Sequence, residues 1–567
     1  MSASWGGRVR SLAEALAEVT APGQPFETTE VELDGGPVRR FVNAPPTLRE
    51  VFAPARGLRE TFLVFEDEEW SFATVMDQVD GLAHALVHHF GVAKGDRVGI
   101  AMRNYPEWVV SFAAITSIGA ISVSLNAWWT ERELAFAVTD AGLSVLIADA
   151  ERVERALGPA AREGVAVLGV RLGAEAPAGV ERWEDVVVPG RAMPVVPLEP
   201  DDDATILYTS GTTGVPKGAV STHRAICQAL MAFASGGTVQ EARRGPPSPG
   251  AEPSGPQCFI LIVPLFHVTG CVPVMLSCFL WHFKLVMMYK WDAERALELI
   301  ERHRVTSFVG VPTQSWDLME TPGFARHDTS SLRSIGGGGA PAPPTLVARV
   351  DRSFKGRPNL GYGMTETNAY GPGNYGEEYV THPASTGRVP TIVTDVEVRD
   401  EAGRALERGG RGEIWLRSPT LIRGYWHNPA ATDEAIHHGW LRTGDLGRID
   451  DEGFLYVEDR AKDMILRGGE NVYSAEVESA IYEHPAVYEA AVVGLTHERL
   501  GEEVGAVVMV RDGDDLDAEG LRDFLAQRLA PYMVPTRIAI TRQPLPRNPA
   551  GKFVKREMRA RYFDARE

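Results

Sequence analysis

Residues 208–218 read YTSGTTGVPKG, a run of hydroxyls and glycines closed by a lysine. Thr209, Ser210, Gly211, Thr212, Thr213 and Gly214 offer hydroxyl and backbone N–H groups to phosphate oxygens, and Lys217 adds a compact positive charge. A Walker loop needs Gly directly before its lysine and Ser or Thr directly after it; Pro216 and Gly218 stand there instead. Read alone, a Gly/Thr-rich surface turn accounts for the run about as well. Farther along, GYGMTET (361–367) sets Tyr362 between Gly361 and Gly363 and adds a hydroxyl, Thr365, and a carboxylate, Glu366. A carboxylate beside phosphates suits a hard cation such as magnesium. Core packing of Tyr362 and a solvated turn at Glu366 are the structural alternatives. Asp445, in RTGDLG, can accept both hydroxyls of a ribose, or can simply form a turn. GGGGAP (336–341), which contains Gly338, permits close backbone approach. Lys552, in PRNPAGK, stands with Arg547, Lys555 and Arg556 and by itself reads as an exposed tail lysine.

The elements that must position these residues follow an alternating rhythm. FLVFE is a strand, and SFATVMDQVDGLAHALVHHF (71–90) is an amphipathic helix with Ser71 as N-cap. GDRVGIAM, AISVSL and SVLIADA read as strands, separated by the helices PEWVVSFAAITSIG and TERELAFAVTDAG. Strand–helix alternation predicts an α/β fold with a largely parallel sheet. WDAERALELIERHRV followed by TSFVGV continues it. The strand ATILYT (204–209) leads into the hydroxyl-rich run, and a helix starts near His223. GGTVQEARRGPPSPGAEPSGPQ (236–257) predicts an exposed loop. After residue 460 the pattern restarts with the helix AEVESAIYEHPAV and the strands YEAAVVGL and EEVGAVVMV, a compact α+β tail. We place the domain boundary near Arg460–Lys462, giving domains 1–460 and 461–567.

With 567 residues, two or more compact units are expected. A net charge of −19 argues against nucleic-acid binding but allows a local site for an anionic substrate. The cysteines at 227, 258, 271 and 278 lack metal-ligand spacing and suit buried thiols in a reducing cytoplasm. No secretory signal opens the chain. The apolar stretch 258–288 is interrupted by Pro264, His267, Pro273, His282 and Lys284, so it predicts a buried strand–loop–helix, with no membrane span.

Taken together, YTSGTTGVPKG, GYGMTET, WLRTGDLG (440–447), DRAKDMILRGGENV (459–472) and PRNPAGK resemble the adenylate-forming superfamily of acyl-CoA synthetases, firefly luciferases and peptide-synthetase adenylation domains, in family order. The resemblance implies a large N-terminal domain with parallel-rich sheets and a small, mobile α+β C-terminal domain. It implies ATP, magnesium and coenzyme A as reactants and cofactor. It further implies that Lys552 bridges the acyl carboxylate and the α-phosphate, that Thr365 bonds the α-phosphate, and that Glu366 with Thr209 holds magnesium. Tyr362 is placed against adenine, Asp445 and Arg460 on the ribose, Lys462 at a hinge, and Gly468 and Gly469 along the coenzyme A channel. The hydroxyl-rich loop with Lys217 then becomes a clamp for the leaving pyrophosphate. Ala550 stands where many relatives have Ser.

Amino-acid-activating relatives carry an Asp in the region of PLFHVTG, where this chain has His267. An α-ammonium loses its counter-charge there, so His267 is read as a gate to the acyl pocket, with a hydrogen-bonded core histidine as the alternative. The expected function is an ATP-dependent, cytoplasmic acyl-CoA synthetase for an apolar acid, medium- or long-chain fatty acids being favoured. An aryl, terpenoid or steroid acid–CoA ligase, or an enzyme that loads a carrier protein, is the alternative. Intact lysine, glutamate and aspartate argue against a non-catalytic nucleotide binder. The small carboxylic acid, ATP and coenzyme A are the expected partners, together with a second copy of the chain in a homodimer.

Overall fold

The computed structural model describes residues 10–33, 35–209, 216–244, 256–339, 342–468, 470–548 and 551–564. Two eight-stranded sheets carry the larger part of the chain. In the first, strands Asp203–Thr209, Ile121–Ser124, Arg97–Ala101, Leu143–Asp149, Ala166–Val170 and Val180–Arg182 run parallel, as expected of apolar strands covered on both faces. Lys217–Thr222 and Gly424–Tyr425 finish one edge antiparallel. The second sheet has a parallel centre, Arg357–Gly361, Ser334–Gly338, Ser307–Gly310, Cys258–Leu261, Lys284–Met287 and Thr61–Phe65. The short strands Gly373–Tyr375 and Glu68–Ser71 close its two edges antiparallel.

Helix ends form where the sequence supplies caps. Ser71 accepts a hydrogen bond from the Thr74 amide and opens Phe72–His88. Thr130 and Glu133 form a reciprocal capping box before Glu131–Ala141, which ends on Gly142 in the left-handed conformation. The apolar stretch 258–288 is strand, helix and strand, with Cys258, Cys271 and Cys278 buried and free. No described helix is long and apolar enough to cross a membrane.

One expectation is overturned. The segment 236–257 is not a loop from its start: the helix His223–Arg244 runs through Gly236 and Gly237. The pair lies inside a 22-residue helix, where packing outweighs the low helix propensity of glycine. Val239 is buried in the main core, and Arg243 ties the last turn to Glu378 through two hydrogen bonds of 2.7 and 3.0 Å. Residues 245–255 lie outside the described residues.

A third, antiparallel sheet includes Asp395–Arg399, Arg411–Arg417, Trp440–Ile449 and Phe454–Arg460. The tail forms a five-stranded sheet of its own, around the paired strands Val487–His497 and Gly501–Val510. It has its own apolar core, with Ile465, Val477, Ile481, Val492, Val504 and Leu521 buried together. The chain is thus a large N-terminal domain and a small C-terminal one.

Candidate active site

In the second large sheet, Ser334–Gly338 lies between Ser307–Gly310 and Arg357–Gly361, all three parallel, so Gly310, Gly338 and Gly361 end at the same edge. The glycines of GGGG thus begin inside a strand, and only Gly339 turns, with φ of 74°. Lys552 rests on that turn. A Cβ at Gly339 would stand 3.3 Å from Lys552 Cε and 3.9 Å from its Nζ, so a larger residue would crowd the lysine as well as strain the backbone. The tail approaches just as closely through Gly551, where a Cβ would lie 2.8 Å from Val311 Cγ2. Val263, Pro264, His267, Thr269 and Gly338 complete the wall of this narrow cleft.

Enclosure lowers the pKa of the Lys552 ammonium, and the positive charge of Arg460 lowers it further, while Asp445 and Glu366 act in the opposite direction. Residues far apart in sequence therefore meet in one electrostatic neighbourhood. Lys552 is not an exposed tail lysine.

At one end of this neighbourhood, Asp445 and Arg460 are direct cross-strand partners in the third sheet. Arg460 Nε is 3.2 Å from Asp445 Oδ1, and the Tyr362 hydroxyl donates to Asp445 Oδ2 at 2.7 Å. The Asp445 amide donates to Thr443 Oγ1 at 3.1 Å. Burial pushes the Asp445 carboxyl above the ordinary carboxylate range, and Arg460 and Tyr362 hold it back. Gly363 follows Tyr362 and leads into the single turn Thr365–Thr367 that carries Glu366.

At the other end, Thr209 and Lys217 are cross-strand neighbours, and the Thr209 hydroxyl donates to the Lys217 carbonyl at 3.4 Å. Ser210, Gly211, Thr212, Thr213 and Gly214 lie outside the described residues. The flanks nonetheless settle the local topology. The chain returns as the antiparallel strand Lys217–Thr222 before its helix begins at His223, whereas a Walker loop runs from a strand directly into a helix.

Tyr425 joins the two motifs and was not singled out from sequence. Its strand pairs with Lys217–Thr222, Ala219 opposite Tyr425. Its hydroxyl donates to Glu366 Oε1 at 2.7 Å, and Lys217 Nζ lies 5.2 Å from its ring centroid. The only signal in LIRGYWHNP is an aromatic after glycine, which has no meaning until the edge pairing is known. The Glu366 carboxylate, with one oxygen taken by Tyr425, fits magnesium where phosphates supply most of the ligands. Among the described residues no cluster of three or more His, Cys, Asp or Glu side chains forms an all-protein metal cage.

His267 lines the cleft, and its Nδ1 accepts the Thr269 amide at 3.3 Å. Burial, then the charge of Lys552, pushes its pKa down to about 3, so the ring is neutral. Lys462 is exposed in the turn after Arg460. Gly468 closes a hairpin with φ of 62° and does not line the cleft; Gly469 is outside the described residues.

Comparison with known proteins gives the family. Residues 51–426 match the AMP-binding enzyme model, and residues 476–552 match the AMP-binding enzyme C-terminal domain. The chain is 33% identical over 538 residues to the long-chain-fatty-acid–CoA ligase FadD13 of Mycobacterium tuberculosis, covering 93% of this chain and 98% of that protein. It is 34% identical over 497 residues to a feruloyl-CoA synthase from an Amycolatopsis species, covering 87% and 94%. The amide bond synthetase McbA from Marinactinospora thermotolerans superimposes with a TM-score of 0.79 at 31% identity, over 90% of this chain and 98% of that one. The chain belongs to the AMP-binding enzymes of the adenylate-forming superfamily and, within them, to the acyl-CoA synthetase type of acid–thiol ligase.

Proposed function

We propose that this protein activates an apolar carboxylic acid with ATP and magnesium, through an acyl adenylate, and transfers the acyl group to the thiol of coenzyme A. The observation that carries the reading is that Lys552 rests on Gly339 at a glycine-lined sheet edge and feels the charges of Arg460, Asp445 and Glu366 there. In the first step a carboxylate oxygen bonds to the α-phosphorus while the bond to the β-phosphate oxygen breaks, releasing pyrophosphate. Two anions about 4 Å apart repel by roughly 4 kcal/mol at an effective dielectric near 20, and the Lys552 ammonium is placed to offset that. Thr365 bonds the α-phosphate; Asp445 and Arg460 hold the ribose, with Tyr362 fixing Asp445 from the adenine side. Lys217 with the hydroxyl-rich loop holds the departing phosphates. Glu366 and Thr209 would hold the magnesium, whose positive charge stabilises the phosphates. In the second step the thiol gives up its proton, its sulfur bonds to the acyl carbon, and the bond from that carbon to the phosphate oxygen breaks, so AMP leaves.

An apolar acid is supported by the described cleft wall, which offers Val263, Pro264, Thr269, Val311 and a neutral His267, with Lys552 as its one charged side chain. A fatty acid of medium or long chain is favoured by the 33% identity to FadD13. An aryl acid is the second reading, supported by the 34% identity to a feruloyl-CoA synthase. We place the domain boundary at 460/461 and the hinge at Lys462, with the hairpin bearing Gly468 turning toward the cleft for the thiol step. A cytoplasmic site of action suits the buried free thiols and the use of ATP and coenzyme A.

The test is a panel of carboxylic acids with ATP and magnesium, following pyrophosphate release, and then AMP and thioester with and without coenzyme A. Pyrophosphate with a fatty or aryl acid, and thioester only when coenzyme A is present, is expected. Absence of pyrophosphate with every acid refutes the reading.

A further inference from the structure

Lys552 stands on a loop, and a loop needs external fixing to hold a charge in place. Asn548 Oδ1 accepts the Lys552 amide at 3.0 Å, and the Asn548 amide donates to the Lys552 carbonyl at 2.8 Å. Arg547 donates to the Gly551 carbonyl at 2.7 Å and to Glu489 Oε1 at 2.8 Å. The other Glu489 oxygen accepts the Leu545 amide at 2.9 Å, and the side chain is buried. Both ends of the lysine loop therefore hang on one carboxylate of the strand Val487–His497.

The residue before Glu489 faces the other way. Pairing with the neighbouring strand passes from Val487 to Glu489, so Tyr488 occupies an irregularity that re-aims its side chain. Its hydroxyl donates to Asp317 Oδ1 at 2.6 Å, and Asp317 Oδ2 accepts Trp291 Nε1 at 2.8 Å. Asp317 is on the helix Pro312–Glu320 of the large domain, which starts directly after Val311, the side chain that meets Gly551. The same helix holds Glu320, paired with Arg349 and with Arg511 of the tail, and Trp316, whose ring centroid lies 4.8 and 5.3 Å from those two guanidinium groups.

We propose that Tyr488 and Glu489 are positioning residues that transmit the location of helix Pro312–Glu320 to Lys552, and so serve adenylation alone. The inference rests on the reading given under Proposed function. Tyr488 docks the strand on Asp317; Glu489, one peptide unit away, fixes Arg547 and through it the Gly551 carbonyl. Neither touches the reacting atoms. Loosening the relay leaves the proposed ATP contacts of Asp445, Arg460 and Lys217 untouched, so it acts on kcat and spares the KM for ATP.

The experiment compares Tyr488→Phe and Glu489→Gln with the unaltered enzyme. Three measurements are made: pyrophosphate release, thioester formation from supplied acyl adenylate, and tryptic cleavage after Arg460 or Lys462 without any acid. A hydrogen bond to a charged acceptor corresponds to roughly a tenfold effect. Tyr488→Phe is expected to lower kcat for pyrophosphate release about tenfold, leave the KM for ATP within about twofold, and leave thioester formation undiminished. Cleavage after residues 460–462 is expected to quicken in Tyr488→Phe, which removes only one hydroxyl. Equal loss in both half-reactions, a loss carried by KM, or unchanged pyrophosphate release by Tyr488→Phe overturns the proposal. If the unaltered enzyme releases no pyrophosphate with any acid, the functional reading falls. The relay is then judged on cleavage alone, and unchanged cleavage overturns it too.

Discussion

Asp445 and Arg460 face each other across two antiparallel strands, their side chains 3.2 Å apart, with the Tyr362 hydroxyl on the remaining carboxylate oxygen. The pair turns a short ladder into a two-sided grip: an acceptor for hydroxyls and a cation beside it. Because Asp445 is only 5% exposed, the carboxylate is held by its partners before any nucleotide arrives.

Asp445→Asn keeps the shape and removes the charge. Hydrogen bonds to charged groups contribute about 1.5–3 kcal/mol, so ATP affinity is expected to fall roughly 10- to 100-fold. Titration calorimetry with ATP checks this, and unchanged affinity would place the ribose elsewhere.

Tyr425→Phe removes the hydroxyl that orients Glu366 and keeps the ring under Lys217. The magnesium concentration for half-maximal pyrophosphate release is expected to rise about tenfold, the lower end of the roughly 10- to 100-fold typical of groups that orient metal ligands. At saturating magnesium the rate is expected to recover. A loss that magnesium does not relieve would assign Tyr425 to packing.

Lys552→Ala is expected to abolish pyrophosphate release while sparing thioester formation from supplied acyl adenylate. The charged lysine is the working form, and its pKa lies below the ordinary 10.5 because enclosure and Arg460 disfavour the charge. Below the lowered pKa the lysine is charged and adenylation is sustained; as pH rises through it, the rate falls, at a lower pH than an exposed lysine would give. Pyrophosphate release measured against pH reads this limb, and a rate that climbs there would contradict the role.

Lys462→Pro fixes the backbone at the exposed turn. It is expected to impair thioester formation more than pyrophosphate release, since under the proposed function the turn changes conformation for the second step. Unimpaired overall turnover would argue against a hinge there.

The alternating strands and helices were legible because apolar runs and caps such as Ser71 and Thr130 are local signals. The candidate site residues were legible through the family resemblance: read alone, Lys552 is an exposed tail lysine and YTSGTTGVPKG a surface turn. Three features were not legible. Helix continuation through Gly236–Gly237 depends on Val239 in the core and on the distant Glu378. Tyr425 acquires meaning only through an edge-strand pairing across more than two hundred positions of sequence. Glu489 reads as an ordinary acidic residue in a strand until Arg547 and the Leu545 amide fold onto it. Each is a tertiary relationship, and periodicity carries no information about those.

Arg460 also has a second attachment. Its carbonyl accepts the amides of Asp463 and Met464, at 2.9 and 3.0 Å, and so shapes the turn that contains Lys462. One residue thus spans, under the proposed function, the nucleotide grip and the pivot. Under the proposed function, departure of AMP at the end of a cycle would loosen the side chain of the very residue whose backbone sets the pivot. Emptying the site and resetting the small domain would then be a single mechanical event, and slow product release would appear as slow rotation.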